Sequence, residues 1–391
     1  MQFVALPLTA AIAEYESQAE SLLEAWRAGD AGALQFFHAH LPRMLDDRVK
    51  WLPKRLSEEE LRAAVFDMDD ARTAVARGYD FAGWEALAAF AAAIERRDPE
   101  VYPFERAVDA VADGDLASLR SLLKEYPGLV RARSKRVTHF DPPVHRATLL
   151  HYVAANGTEG YRQRTPGNAV EIATALLDAG AEADALANLY GGECTTLSLL
   201  VSSCHPAQAG VQVPLIDLLA ARGASLAETG TGNWVSPVET ALVFGYRDAA
   251  EELVRHGAPL SLPAAAGLGR LKLVRELLPE SSELARHRAL AIAAQSGEVE
   301  TTRLLLEAGE DPNRFDPPGT HSHTTPLHQA VWAGHLDVVR LLVARGARLD
   351  IRDTIYNSTP LGWAEYGGRE EIAALLRGFE RASDKYGSVE P

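Results

Sequence analysis

The sequence predicts an all-α fold in which helix–turn–helix units stack into a solenoid behind a helical N-terminal cap. Three observations carry that prediction. Segments of similar pattern recur along the chain, and two of their openings, at Thr325 and Thr359, lie 34 residues apart. Within each segment the apolar residues fall at helical spacing. Glycines stand where one helix must turn into the next and where the second must stop.

The best-formed segment reads TPLHQAVWAGHLDVVRLLVARGARLD from Thr325. Thr325 suits an N-cap, and Pro326 suits the first helical turn, where its missing N–H costs nothing. A short inner helix follows, with Ala330 and Ala333 small on one face. Gly334 permits a tight turn, and Val338, Val339, Leu341 and Leu342 form the apolar stripe of an outer helix that Gly346 ends. Degenerate copies occupy residues 289–311, 236–260, 195–226 and 148–184, with a shortened one at 262–278. Residues 104–127 open the series without a Thr-Pro pair, so about eight units lie between Phe104 and Phe379.

These residues resemble the ankyrin repeat, whose opening is Thr-Pro-Leu-His-x-Ala and whose period is about 33 residues. The resemblance implies an ankyrin-repeat domain over residues 99–380 with β-hairpin fingers between units. A wider resemblance is to bacterial ankyrin-repeat domain-containing proteins. It rests on residues 71–84 (ending Tyr79-Asp80-Phe81-Ala82-Gly83-Trp84), on 151–157 and 160–163, on Tyr190-Gly191-Gly192 and on His205-Pro206. That resemblance implies a bacterial, cytoplasmic protein and brings no assigned reaction.

Residues 1–98 read as the helical cap that covers the first apolar face of the array. Trp26 to Asp30 followed by Leu34 reads as helix, Gly-Asp turn and helix, and residues 43–56 as a loop. Ser57 and the three glutamates after it mark a helix start, and residues 70–94 a helical hairpin. Residues 381–391 are polar and read as a flexible tail.

Composition narrows the function. The 391 residues are 47% hydrophobic, enough for a large core, and carry a formal charge of −15. Such a surface repels nucleic acid and anionic lipid, so neither is an expected partner. Cys194 and Cys204 are too few for a disulfide framework, which fits a reducing compartment. No signal peptide or membrane span is read, so the expected location is the cytoplasm. No cofactor is expected either: no P-loop, dinucleotide fingerprint, Ser-His-Asp set or zinc-ligand spacing occurs.

Candidate binding residues sit where the period breaks. The openings at Thr148, Thr195 and Ser236 are 47 and 41 residues apart, and the excess makes long loops at 158–168 and 204–214. Fingers at 131–147 and 311–324 are long as well. Loops on a rigid scaffold commonly carry binding residues. The predicted site therefore comprises Tyr152, Asn156, Tyr161, Arg162, Tyr190, His205, Trp234 and Glu239.

Each residue type has a reason and a plainer alternative. Tyrosine and tryptophan are favoured interface anchors, and they are also ordinary packing residues. Arg131, Arg133, Lys135, Arg136, Arg146, Arg162 and Arg164 reverse the local charge. Such a patch can dock a carboxylate or phosphate, or simply pair with neighbouring acids. His151 and His328 hold the histidine position of the opening and are read as bonding backbone; His321 and His323 are read as solvated, or as a metal pair. Glu239 is a general base if buried and a groove residue if not.

Two functions follow. The first is an ankyrin-repeat binding protein that presents its concave face and enlarged loops to a protein or a small-molecule ligand, with an anion among the candidates. The alternative is an atypical enzyme or small-molecule receptor with a closed pocket walled by the long loops of repeats 2–4.

Overall fold

A computed structural model describes residues 4–157, 159–227 and 230–386, with side chains to residue 381. Two compact units divide the chain: residues 1–224 with 230–232, and residues 225–229 with 233–391. The division falls inside the repeat array.

The first unit begins with five helices, α1 (Ile12–Arg27), α2 (Ala31–His40), α3 (Glu58–Ala63), α4 (Met68–Gly78) and α5 (Trp84–Glu95). Their starts follow from local chemistry. Asp30 caps α2 by accepting the Ala33 N–H at 2.9 Å. Ser57 and Glu60 form a reciprocal capping box on α3, as do Asp67 and Asp70 on α4. These helices enclose one core around the fully buried Tyr15, Phe37, Tyr79 and Phe81. The finger that follows is tied to this core, because Ala82 N–H donates to the Val137 carbonyl at 2.9 Å.

Three repeat units complete this part of the chain. They are α6 (Tyr102–Asp113) with α7 (Leu116–Glu125), α8 (Leu149–Tyr152) with α9 (Ala169–Asp178), and α10 (Thr196–Leu200) with α11 (Cys204–Gln208) and α12 (Gln212–Ala221). The segment 204–214, expected as a loop, is thus mostly helical. Buried Gln212 holds its start by donating to the Leu200 carbonyl at 3.0 Å. Between α9 and α10 stands a two-stranded antiparallel finger, β1 (Ala187–Leu189) and β2 (Gly192–Cys194), joined by Tyr190 and Gly191 at φ 56 and 80. Residues 230–232 lie so close against it that a Cβ on Gly230 would sit 1.8 Å from the Glu193 carbonyl oxygen. Only glycine fits there.

The second unit holds five helix pairs: α13 (Pro237–Val243) with α14 (Arg247–Arg255), α15 (Leu262–Gly267) with α16 (Leu271–Leu277), α17 (Glu283–Gln295) with α18 (Val299–Glu307), α19 (Pro326–Ala333) with α20 (Leu336–Ala344), and α21 (Pro360–Tyr366) with α22 (Glu370–Tyr386). Hydroxyl caps open them, for instance Ser261 accepting the Ala264 N–H and Thr359 the Gly362 N–H, both at 3.2 Å. The shortened repeat has a consequence. A Cβ on Gly267 would lie 2.5 Å from Ile292 Cγ2 and 2.9 Å from Leu242 Cδ1, so side chains of α17 and α13 close over the small-residue helix α15. The inner helices α13 and α17 are thereby near neighbours. Helix α22 runs to Tyr386, into the stretch read as a tail; residues 387–391 and Thr158 of the 158–168 loop lie outside the described residues.

His151 and His328 behave as the opening motif implies. Each Nδ1 accepts from the backbone N–H and lies beside the hydroxyl of the capping threonine, Thr148 at 3.1 and 2.8 Å and Thr325 at 3.4 and 2.9 Å. Burial pushes both imidazoles down to about 4. Among the described residues no helix is long and apolar enough to cross a membrane.

Candidate functional site

The first unit brings Tyr152, Tyr161 and Arg162 together, but it turns them inward. Arg162 is 3% exposed. Its Nη1 donates to Glu105 at 2.7 Å and to Glu159 at 2.9 Å, and its Nε donates to Asp109 at 3.1 Å. Glu159 also accepts from the Tyr152 hydroxyl at 2.7 Å and from His145 Nε2 at 3.1 Å, and lies 3.0 Å from Arg136 Nη1. Ala147 N–H donates to His145 Nδ1, so the proton on that ring sits at Nε2. Arg136 donates to the Tyr161 oxygen at 2.8 Å and to the Tyr79 carbonyl at 2.6 Å, and stacks 4.2 Å above the Phe81 ring.

This buried network sets its own electrostatics. Burial opposes the Glu159 charge, yet Arg136 and Arg162 outweigh it and hold that carboxyl well below the usual range. Burial dominates at Glu105 and raises it. Burial likewise holds the Tyr152 and Tyr161 hydroxyls well above their usual range. The cleft left between these groups is only about 20 Å³, room for roughly one water molecule. The expected pocket walled by the long loops is therefore corrected: the 158–168 loop fills the space it was expected to enclose.

Five of the seven basic residues of the expected anion-docking finger are taken up by acids, while Arg133 donates to the Arg146 and Leu186 carbonyls and neither Arg133 nor Arg146 has an ion pair among the described residues. Arg131 pairs with Glu182, Lys135 with Glu100 and Arg164 with Asp113, while Arg136 and Arg162 are buried among the acids named above. Asn156 and Tyr190 meet each other, with the Tyr190 hydroxyl 2.8 Å from Asn156 Oδ1, and Asn156 Nδ2 donates onward to Ser202 at 2.8 Å. Tyr190 is half exposed. His205 stands apart, its Nδ1 3.6 Å from the exposed Cys204 sulfur, whereas Cys194 is buried. Trp234 and Glu239 belong to the second unit. Trp234 is half-buried. Glu239 is buried on α13, accepts from the Ser261 hydroxyl at 2.6 Å and lies 3.6 Å from Arg288 Nη1. Glu239 is thus buried and lies beside an arginine, and is not the exposed groove residue of the plainer reading.

The second unit carries what the sequence reading missed, a groove of about 1130 Å³ along its inner helices. Its walls come from the ends of α13, α17, α19 and α21 and from the fingers before α19 and α21. The turn glycines Gly245, Gly297, Gly334 and Gly368, all at positive φ, align these ends. Two residues before each of them stand Val243, Gln295, Trp332 and Tyr366. Phe244, Trp332, Tyr356 and Tyr366 are 48, 46, 41 and 89% exposed there. Trp363 anchors the set: it lies edge-on to Trp332 at 5.7 Å, and its indole N–H donates to buried Asp353 at 3.0 Å.

His321 and His323 line the same groove. His321 Nε2 lies 3.0 Å from the Val243 carbonyl, which can only accept, so that nitrogen carries the proton and is not free for a metal. Burial lowers both histidines, leaving them neutral at neutral pH. The signal for this site was present in the sequence as bulky aromatics just before turn glycines, where a core helix would end in small residues.

Comparison with known proteins places this architecture. The family model for ankyrin repeats (three copies) matches residues 262–353 and 319–386. Cyclin-dependent kinase inhibitor 2A of Monodelphis domestica is 36% identical over 121 residues, 30% of this chain and 68% of that protein. Human cyclin-dependent kinase 4 inhibitor B is 34% identical over 126 residues, 31% of this chain and 88% of that protein. The ankyrin repeat and KH domain-containing protein mask-1 of Caenorhabditis elegans is 26% identical over 219 residues, 54% of this chain and 8% of that protein. The chain belongs to the ankyrin-repeat family, and it is a binding protein of that fold.

Proposed function

We propose that the chain binds a protein partner through the groove of its second unit. The observation that carries this reading is the row of exposed aromatic rings along the inner helix ends, held in place by the bond from Trp363 to buried Asp353. Aromatic residues in a concave surface are the usual anchors of protein recognition. Two of the relatives are named as inhibitors of cyclin-dependent kinases, that is, of other proteins, which supports a polypeptide occupant over a metabolite.

In this reading residues 1–98 serve as the cap of the array, and Tyr152, Tyr161 and Arg162 are scaffold. Tyr190 and His205 stay in the proposal as a smaller, separate contact surface on the first unit. Bacterial, cytoplasmic residence rests on the sequence resemblance of the cap and loop motifs, while the relatives above come from an opossum, human and a nematode.

Site-specific photocrosslinking tests the groove. A benzoylphenylalanine at Tyr366 should give crosslinked adducts in producing cells, with the partner identified by mass spectrometry. The same group at Lys272 on α16, whose side chain is 94% exposed, should give none of them. Equal adducts from both positions would overturn the assignment.

A further inference from the structure

The groove has a charge that contrasts with the rest of the chain. The protein carries a formal charge of −15. Yet no aspartate or glutamate is among the groove-lining residues, whereas Arg247 and Arg369 are. Arg247 is already neutralised, with Nη1 on Glu298 at 2.6 Å. Arg369 is not. Its Nε and Nη2 both donate to the Trp332 carbonyl, at 3.1 and 2.8 Å. Among the described residues no carboxylate lies within 4.0 Å of it, and its Nη1 makes no hydrogen bond. Arg369 is therefore an unneutralised guanidinium, fixed by two bonds to the backbone of the very residue that supplies an exposed indole.

The dimensions say what can occupy the site. At about 1130 Å³ the groove exceeds the roughly 300–1,000 Å³ typical of small-molecule pockets. It runs past four inner helices, and packed helices lie about 8–10 Å apart. Three such intervals span about 25 Å, the length of about eight extended residues at roughly 3.3 Å each.

We propose that the groove binds an extended segment of a partner polypeptide in which a carboxylate neighbours a bulky apolar side chain, the carboxylate pairing with Arg369 and the apolar group lying against Trp332 and Tyr366. This inference rests on the protein-binding reading above and adds the chemistry of the partner. A guanidinium held by its Nε and one Nη still offers donors for a carboxylate, and such charge-assisted bonds are stronger than neutral ones. Within the groove lining Arg369 is the arginine without a carboxylate partner among the described residues, so its position also sets the register of the bound chain.

The test is selection from a displayed library of random nonapeptides on the full chain, repeated on Arg369→Gln, Trp332→Ala and Tyr366→Ala, with thermal unfolding of each variant as the folding control. Tyr366 is 89% exposed, so its replacement keeps the groove testable should Trp332→Ala unfold. Peptides selected on the wild type should be enriched in aspartate or glutamate beside leucine or an aromatic residue. They should bind Arg369→Gln about tenfold more weakly, the loss expected for one charge-assisted bond, and Arg369→Lys should restore part of it. Selected peptides without acidic enrichment that still need Trp332 or Tyr366 would overturn the acidic specificity and leave the protein-binding groove standing. Peptides indifferent to all the substitutions would overturn both.

Discussion

The 158–168 loop and the 321–369 groove wall both hold arginine beside aromatic rings, and they use the pair in opposite ways. Around Arg162 the charges and rings face inward and leave a cleft of only about 20 Å³. Around Arg369 they face a groove of about 1130 Å³. The difference is one of partners. Arg162 meets Glu105, Asp109 and Glu159, so burial is offset by ion pairs. Among the described residues Arg369 meets a carbonyl alone, so its charge has to stay near water or a ligand. The same composition therefore marks scaffold in one place and a contact surface in the other.

The largest expected effect tests the buried side. Arg162→Met leaves Glu105 and Glu159 with one counter-charge fewer in the interior, and breaking a buried pair on one side costs about 3–5 kcal/mol. Urea denaturation should show that loss; a change below about 1 kcal/mol would mean the network is hydrated.

Acid comes next, and it probes both regions because each unit holds one buried capping histidine. His151 and His328 sit at about 4 when folded against about 6.5 when unfolded. The folded state thus binds fewer protons between those values. The stabilisation is complete above about pH 6.5 and is lost as the pH falls towards 4, by up to about 3 kcal/mol for each histidine. The denaturation midpoint followed from pH 7.5 to 4.5 should fall, and His328→Asn should flatten the fall; an unchanged slope in the variant would show that other groups dominate.

Smaller effects come from the exposed side. Trp332→Ala should reduce stability by only about 1 kcal/mol, because the ring is 46% exposed and surface positions tolerate change, while abolishing partner capture. A loss near that of Arg162→Met would erase the contrast between the two regions. Tyr190→Phe should be smallest, about 1 kcal/mol or less for a half-exposed hydroxyl and its bonds to Asn156 and Gly157.

Legibility in the sequence followed the range of the interactions. The opening at Thr325, the turn at Gly334 and the boxes at Ser57 and His328 involve residues three to nine apart, and local spacing reveals them. The network around Arg162 does not work that way. Glu105 lies 57 residues from Arg162 and Asp109 lies 53 away, so a Tyr-Arg pair in a long loop reads as an exposed hot spot until its partners are known. Loop 204–214 misled for a related reason: Gln212 is satisfied by the carbonyls of Leu200, the last residue of α10, and Ser203, just before α11, and that makes helix of an apparent insertion.

By itself the sequence determined the repeat, its number of units, the caps and the turns, because each depends on spacing within a few dozen residues and on backbone chemistry that travels with the residue type. Only the tertiary structure decided which arginines are neutralised and which aromatic rings remain uncovered. Those properties depend on what packs against a side chain from other repeats. Trp332 and Tyr366 sit at equivalent helix ends, and it is the packing of the neighbouring repeats that leaves them 46 and 89% exposed.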